Sequence, residues 1–275
     1  MPHAIAIAGP AGKPGQVYYK LERIELPKPQ PKDDECVITM HAAALNHRDL
    51  FIRQHLYPGT TFSVPLLADG CGVVTATGPS AEAKKWMGKR VVLNPGEGWE
   101  DDLEAPEDPK GYRILGGTKM NPKGTLGEYI ILPARELEEA PSHLSDAEAA
   151  ALPLAGLTGW RALMTKSNNA KPGRNILVTG IGGGVALNIL QFAVAANCNV
   201  YVTSGSEEKL KKAKELGAKG GVNYKEEGWE KKLLGMLPDS RKNLDAIIDG
   251  AGGDIVAKGA KMLRVCASRL LPSSR

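Results

Sequence analysis

Residues 176–193, ILVTGIGGGVALNILQFA, have the pattern of a strand, a glycine-rich turn and a helix. The apolar run ILVTG is typical of a strand that is buried on both faces. Gly180, Gly182, Gly183 and Gly184 follow, and glycine lets a turn adopt positive φ and lets backbone approach a ligand closely. The next helix offers free N–H groups and a partial positive charge to an anion. The stretch therefore predicts a dinucleotide phosphate site, and a tight turn without a ligand is the alternative.

Strands and helices alternate after this stretch, in NVYVTSG, EEKLKKAKELGA, GGVNY, WEKKLLGML and LDAIIDGAG. Such alternation indicates βαβ units and a parallel sheet. The first half of the chain instead has short runs rich in Val, Ile and Thr between Gly and Pro, namely ECVITMHAAAL, LADGCGVVTATG, KRVVLNP and LGEYIILP. These are typical of an irregular β-barrel or sandwich. We therefore predict an α/β chain, with a β-rich domain over residues 1–140 and a doubly wound parallel-sheet domain over residues 141–275.

The residues after the second predicted strand bear on the choice of cofactor. NAD-binding proteins usually place Asp or Glu there to bind the ribose 2′-hydroxyl. In NVYVTSGSEEK the strand runs into Ser204 and Ser206, which can hydrogen-bond a 2′-phosphate, and Lys209 can neutralise it. The sequence thus favours NADPH over NADH, and Glu207 and Glu208 are the residues that would favour NADH.

Composition and charge exclude several classes of protein. The 275 residues are 42% hydrophobic and 24% charged, with a net charge of +4, as is usual for a globular protein. Glu interleaves with Lys in EEKLKKAKE, which indicates a solvated helix face and no nucleic-acid partner. No apolar window approaches the ~20 residues of a membrane helix, and no signal peptide is evident. The cysteines are too far apart for a disulfide framework or metal cluster, so we predict a cytoplasmic protein: Cys36, Cys71, Cys198 and Cys266.

Five motifs occur in a fixed order along the chain: AALNHRDLFIRQHLYPG, VPLLADGCGVVTATG, GTLGEYIILPA, SDAEAAALPLAGLTGWRAL and ILVTGIGGGVALNILQFA. Together they resemble the medium-chain dehydrogenase/reductase superfamily, specifically its quinone-oxidoreductase-like and zinc-type alcohol-dehydrogenase-like members. The match covers residues 17–262. The resemblance implies a GroES-like catalytic domain followed by a Rossmann domain, with a homodimer as a possible assembly.

The zinc-dependent members of this superfamily provide a test of metal binding. Their zinc-ligand cysteine corresponds to Asn46, and their ligand histidine corresponds to Ala68, which Asp69 follows. Residues 94–124 lack the four cysteines of the structural-zinc lobe. Zinc requires a tetrahedral set of soft or imidazole ligands, which these positions do not supply. We therefore expect no zinc, and we expect the neighbouring Cys71 to be a small buried residue.

Without zinc, the resemblance implies NADPH-dependent hydride transfer to a quinone, an enone or another small carbonyl substrate. It places Asn46 and Thr158 at the nicotinamide, whereas Asp49 either organises that pocket or caps a helix. Tyr224 is expected at the 2′-phosphate or, alternatively, packs at a strand end. The remaining predicted cofactor contacts are Gly180, Gly182, Gly183, Gly184, Val185, Ala186, Ser204, Ser206 and Lys209. The rival hypotheses are a zinc-type alcohol dehydrogenase and a catalytically silent nucleotide-binding or truncated product.

The end of the chain departs from the family pattern. Relatives continue beyond LDAIIDGAGGDIVAKGAKMLR, whereas this chain ends with VCASRLLPSSR. We interpret that ending as an extension without the expected strand, so that the C-terminal half of the Rossmann domain is missing. The strand LDAIIDG is then expected to be an unpaired edge, and the helix in KGAKMLRV to be exposed.

Overall fold

The computed structural model describes residues 1–270, and their side chains over residues 1–265. The chain divides into two compact units, Met1–Leu154 and Ala155–Arg275. The domain boundary at residues 140/141 remains a prediction from the sequence. Within the described part of the chain, no helix has the length and apolar character needed to cross a membrane.

The first unit is rich in β-structure, as its Val- and Ile-rich runs predict. Its helices are α1 (His47–Arg53), α2 (Ala81–Lys84) and α3 (Asp146–Ala150), with a 3-10 helix at Ala134–Glu136. Its strands are β1 (His3–Ile7), β2 (Leu21–Glu25), β3 (Glu35–Ala44), β4 (Asp69–Thr77), β5 (Arg90–Leu93), β6 (Gly96–Glu97), β7 (Arg113–Ile114), β8 (Tyr129–Pro133) and β9 (Leu137–Glu139). The four strands predicted from ECVITMHAAAL, LADGCGVVTATG, KRVVLNP and LGEYIILP are confirmed as β3, β4, β5 and β8.

The main sheet of this unit brings two distant segments together. Its strands lie antiparallel in the order β8-β3-β4-β5-β9, and the register pairs Ala44 at the end of β3 with Asp69 at the start of β4. Because α1 follows β3 after only two residues, the start of α1 lies beside the start of β4. Buried side chains of alternate strand positions, such as Ile38, Val91 and Leu132, form the core beneath the sheet.

The second unit alternates strands and helices. Its strands are β10 (Asn175–Val178), β11 (Asn199–Ser204), β12 (Gly220–Asn223), β13 (Leu244–Ile248) and β14 (Leu263–Leu270). Its helices are α4 (Pro153–Trp160), which starts at the unit boundary and continues as a π-helix over Arg161–Lys166, α5 (Gly184–Ala195), α6 (Glu207–Glu215), α7 (Trp229–Leu234) and α8 (Ile255–Met262).

The sheet of the second unit is parallel throughout, in the order β12-β11-β10-β13-β14. The chain runs outward in one direction from β10 to β12 and then returns to the other side of β10 with β13. This is the doubly wound arrangement, in which ligands bind at the carboxyl ends of the strands beside the point of reversal. The predicted fold class is confirmed, and the reversal lies between β10 and β13.

Three expectations about the end of the chain are wrong. The ending VCASRLLPSSR was expected to hold no strand, but residues 265–270 belong to β14. LDAIIDG is not an unpaired edge, because β13 pairs with β10 on one side and with β14 on the other. The helix α8 is not simply exposed, since Ile255 and Met262 are buried in the core on one face of the sheet. A free strand edge favours pairing with any extended segment that reaches it, and Leu263–Leu270 does so here. The last residues of the predicted tail, 271–275, lie outside the described residues.

Candidate functional site

The glycine-rich turn has a backbone that requires glycine. Gly180 has φ +64° and Gly182 has φ +117°, conformations that residues with side chains rarely adopt. A β-carbon on Gly182 would also lie 2.8 Å from Cδ of Lys209. Gly183 is the N-cap of α5 and offers no side-chain acceptor, and Gly184 begins the helix. The first N–H groups of α5 are therefore left for water or an anionic ligand.

Hydrogen bonds from neighbouring strands hold this turn in place. The Gly180 N–H donates to Oγ1 of Thr203 at 3.2 Å. On the other side, the side chains of Thr179 and Asp249 are buried and hydrogen-bonded to each other, which ties the carboxyl ends of β10 and β13. Asp249 also accepts the Gly252 N–H. Thr203 and Asp249 were not predicted as site residues, although a polar residue at the end of a buried strand is a recognisable signal.

The end of β11 carries two hydroxyl groups that organise the local backbone. Oγ of Ser204 accepts the Ser206 N–H at 3.2 Å, and Oγ of Ser206 accepts the Lys209 N–H at 3.5 Å as the N-cap of α6. A hydroxyl that accepts a backbone N–H still has its own hydrogen to donate. Ser204 is buried and Ser206 is half-buried, so the second hydroxyl is the more accessible of the two.

Two further polar side chains lie over Gly205, between these serines. A β-carbon on Gly205 would lie 3.0 Å from the hydroxyl of Tyr224 and 2.8 Å from Cε of Lys225. Tyr224 is half exposed and Lys225 is exposed. The structure thus places Tyr224 beside the end of β11, and its contact with a 2′-phosphate remains a prediction. Lys225 is a further cation at this place and was not among the predicted site residues.

Each of the two nearby carboxylates already has a side-chain partner. Oε1 of Glu207 accepts a hydrogen bond from the side chain of Asn223 at 3.3 Å, and Glu208 pairs with Lys212 on its own helix at 3.0 Å. Glu208 is therefore drawn along its own helix, whereas Glu207 is held beside the end of β11, because Asn223 pairs with Ser204 in the sheet.

In the first unit, Asn46 is the centre of a polar cluster. It is the N-cap of α1, and its backbone N–H donates to Oδ2 of Asp49 at 2.7 Å. Its side-chain Nδ2 donates to Oδ2 of Asp69 at 2.8 Å, and Oδ1 of Asp69 accepts the Leu154 N–H at 2.8 Å. Of the two roles considered for Asp49, the structure shows helix capping.

The cluster places charged groups in a desolvated environment. Burial raises the pKa of Asp69 to about 6, and the nearby charge of Asp49 adds to this, whereas the hydrogen bond from Asn46 and the charge of Arg48 oppose it. Burial likewise raises the pKa of Asp49. Arg48 is buried and donates to the carbonyl groups of Leu115 and Gly116 at 2.9 and 3.1 Å. Its guanidinium thus connects α1 to the loop before residue 124.

The donor set around Asn46 does not fit a zinc ion. Ala68 is fully buried in the apolar core, and both carboxylate oxygens of Asp69 already accept N–H groups. Cys71 is buried as expected, and desolvation raises the pKa of its thiol, which disfavours the thiolate that zinc binds. His47 is exposed. Over residues 1–265, no three His, Cys, Asp or Glu side chains lie together as a metal centre would require.

Thr158 lies in the other unit, on α4. This helix packs closely against the start of α5, because a β-carbon on Gly184 would lie 3.3 Å from Cβ of Ala155, and one on Gly159 would lie 3.1 Å from Cγ1 of Ile189. Thr158 is half-buried between these contact positions. Asn46 and Thr158 are thus described in separate units, and their common site at the nicotinamide remains a prediction.

The family of the chain follows from comparisons with known proteins. Residues 32–142 match the family model described as alcohol dehydrogenase GroES-like domain, and residues 184–267 match the model described as zinc-binding dehydrogenase. Together with the two folds and the glycine-rich turn, these matches show that the chain belongs to the medium-chain dehydrogenase/reductase superfamily of nicotinamide-dependent oxidoreductases. Members of this superfamily act on small molecules and commonly form dimers.

Individual relatives come from both branches named above. The chain is 51% identical over 269 residues to the zinc-type alcohol dehydrogenase-like protein YogA of Leptosphaeria maculans. The matched region covers 96% of this chain and 75% of that protein. It is 28% identical over 250 residues to the quinone oxidoreductase of Pongo abelii, covering 85% of this chain and 67% of the relative. The crystal structure of an NAD-dependent alcohol dehydrogenase, 34% identical, matches with a TM-score of 0.82 over 98% of this chain and 77% of that one.

Proposed function

We propose that this chain is an NADPH-dependent oxidoreductase that reduces a quinone, an enone or another small carbonyl substrate without zinc. The observation that carries the proposal is the chemistry at the end of β11. Ser206 offers a hydroxyl there, Lys209 and Lys225 offer cations, and Tyr224 offers a phenol. A 2′-phosphate is bound by such donors and cations, whereas the unphosphorylated 2′-hydroxyl of NADH usually donates a hydrogen bond to a carboxylate.

Different residues of the second unit would bind different groups of the cofactor. The N–H groups at the start of α5 would take the pyrophosphate, with Gly180 and Gly182 allowing its close approach. Lys209 extends over the same turn, so its charge lies where phosphate groups would gather. When bound, NADPH supplies the hydride, and the chain supplies binding and orientation.

The residues of the first unit would act on the reacting groups. Asn46 would hydrogen-bond a carbonyl oxygen of the nicotinamide or of the substrate. The donor set argues against a metal-polarised carbonyl, because Asp69 is occupied by N–H donors and Ala68 has no ligand atom. The family name of the 51% identical relative nevertheless makes zinc-dependent alcohol oxidation the second candidate.

Steady-state oxidation of NADPH by the purified chain tests the proposal, with a small quinone, an enone and an aldehyde as acceptors. We expect turnover in protein that contains less than a tenth of an equivalent of zinc by elemental analysis. Turnover that appears only with one bound zinc would identify a zinc-type alcohol dehydrogenase instead. NADPH binding without turnover of any acceptor would identify a nucleotide-binding protein that is catalytically silent.

A further inference from the structure

The side-chain amide of Asn46 is held by a buried carboxylate, because its Nδ2 donates to Oδ2 of Asp69 at 2.8 Å. Its oxygen is not used as a cap for α1: the Asp49 N–H donates to the main-chain carbonyl of Asn46 at 3.0 Å, while Oδ2 of Asp49 accepts the Asn46 N–H. An amide has one acceptor oxygen and two N–H donors, so the bond to Asp69 uses one donor. One Nδ2–H of Asn46 is left over.

The orientation of Asp69 is itself determined by the backbone. Its Oδ1 accepts the Leu154 N–H at 2.8 Å, and its main-chain carbonyl accepts Oγ1 of Thr125 at 2.7 Å. Asp69 is only 1% exposed, so water does not substitute for either contact. Because both neighbours of the side chain are N–H groups, residue 69 has to accept on both of its oxygens. A carboxylate meets this requirement and an amide does not.

We propose that Asp69 is a positioning residue that holds the Asn46 amide so that its remaining Nδ2–H donates to a carbonyl oxygen of the ligand. The carbonyl belongs either to the nicotinamide carboxamide or to the substrate, and this part of the proposal rests on the proposed function. The carboxylate strengthens the effect, because a hydrogen bond to an ionised acceptor is shorter and holds the amide more firmly than a neutral one.

A reciprocal exchange of the two side chains separates positioning from packing. In Asp69→Asn alone, the new amide has to keep its oxygen on the Leu154 N–H, so its NH₂ group faces Asn46, and the Asn46 amide has to turn its oxygen toward residue 69. In the double variant Asn46→Asp/Asp69→Asn, the new amide at 69 donates to the new carboxylate at 46. Asp is also a good N-cap for α1, and the net charge is unchanged. The double variant therefore keeps the protein's own hydrogen bonds but has no N–H to offer at position 46.

We expect the double variant to unfold at the wild-type urea concentration and to lose function by at least tenfold. A tenfold weaker NADPH affinity assigns the bond to the nicotinamide carboxamide. A tenfold lower kcat/KM for a small quinone, with unchanged NADPH affinity, assigns it to the substrate carbonyl. Thr39→Val is the control, because it removes a side-chain hydrogen bond to Thr75 on the exposed face of the same sheet and contacts neither Asn46 nor Asp69, and we expect wild-type kinetics. Wild-type binding and turnover in a folded double variant would overturn the proposal.

The orientation of the amide is measurable without any ligand. In ¹H–¹⁵N spectra, we expect one Nδ2 proton of Asn46 to exchange slowly with water and the other to exchange quickly. The two side-chain NH₂ signals of Asn46 are assigned by their loss in the double variant. Fast exchange of both protons would overturn the positioning role of Asp69. If the wild type neither binds NADPH nor turns over a quinone, the proposed function fails, and this experiment still decides the orientation.

Discussion

Lys209 lies directly against Gly182, although 27 positions separate them in the chain: a β-carbon on Gly182 would come within 2.8 Å of the lysine Cδ and 3.2 Å of its Nζ. The first turn of α6 is thereby joined to the glycine-rich turn before α5. A positive charge and the uncapped N–H groups of a helix thus lie at one edge of the parallel sheet, where a dinucleotide would place its phosphates.

Replacing Gly182 by alanine should damage this arrangement in two ways. The backbone φ of +117° is strained for any residue with a side chain, which costs about 1 to 3 kcal/mol. The new methyl group would also displace Lys209. We expect a lower free energy of unfolding in urea and NADPH binding weakened about tenfold. Gly235→Ala is the control, because Gly235 has φ −67° and nothing closer than 3.5 Å to its β-carbon position, and it should change neither quantity.

The charge of Lys209 should discriminate between the two cofactors. We predict that Lys209→Met weakens NADPH binding by about tenfold or more and weakens NADH binding much less, since only NADPH carries the 2′-phosphate. Lys211→Met changes an exposed lysine of the same helix and should leave both affinities within about twofold. If Lys209→Met weakened the binding of NADPH and of NADH equally, the lysine would be assigned to the pyrophosphate alone.

The buried Asp69 should make stability depend on pH in a defined direction. Its pKa is raised from 3.8 to about 6 in the folded chain, so the folded state binds a proton more tightly than the unfolded state between these values. Lowering the pH from 7 to 5 should therefore stabilise the wild type relative to Asp69→Asn, by about 1 kcal/mol. Urea unfolding of both proteins at the two pH values measures this difference. The pKa shift would be contradicted if the difference in free energy of unfolding between the wild type and Asp69→Asn were the same at both pH values, or if it changed in favour of the variant at pH 5.

A buried carboxylate should also be essential for the parallel sheet. Asp245 is fully buried, and its Oδ1 pairs with Arg174 at 2.8 Å, with Arg264 on β14 at 2.8 Å, and with Arg241. Asp245→Asn would leave these guanidinium groups without a counter-charge, and we expect a loss of about 3 kcal/mol or more in the free energy of unfolding. Asp239→Asn, at a fully exposed side chain paired with Lys242, should leave the free energy of unfolding unchanged.

The parts of the fold and site that could be predicted are those that local sequence dictates. The run 176–193 gives β10, the turn and α5 because burial, positive φ and helix periodicity are all local properties. The pairing of β14 with β13 could not be predicted, because LRVCASRL has no strand pattern of its own and is fixed by the edge that it meets. Contacts between distant segments, such as Lys225 over Gly205 or the Leu154 N–H on Asp69, leave no spacing signal in the sequence.

The proposed selection of NADPH by the end of β11 is tested most directly by calorimetric titration of the whole chain with NADPH and, separately, with NADH. We predict that NADPH binds at least tenfold more tightly than NADH. Equal affinities, or a preference for NADH, would contradict the assignment of Ser206, Lys209, Tyr224 and Lys225 to a 2′-phosphate.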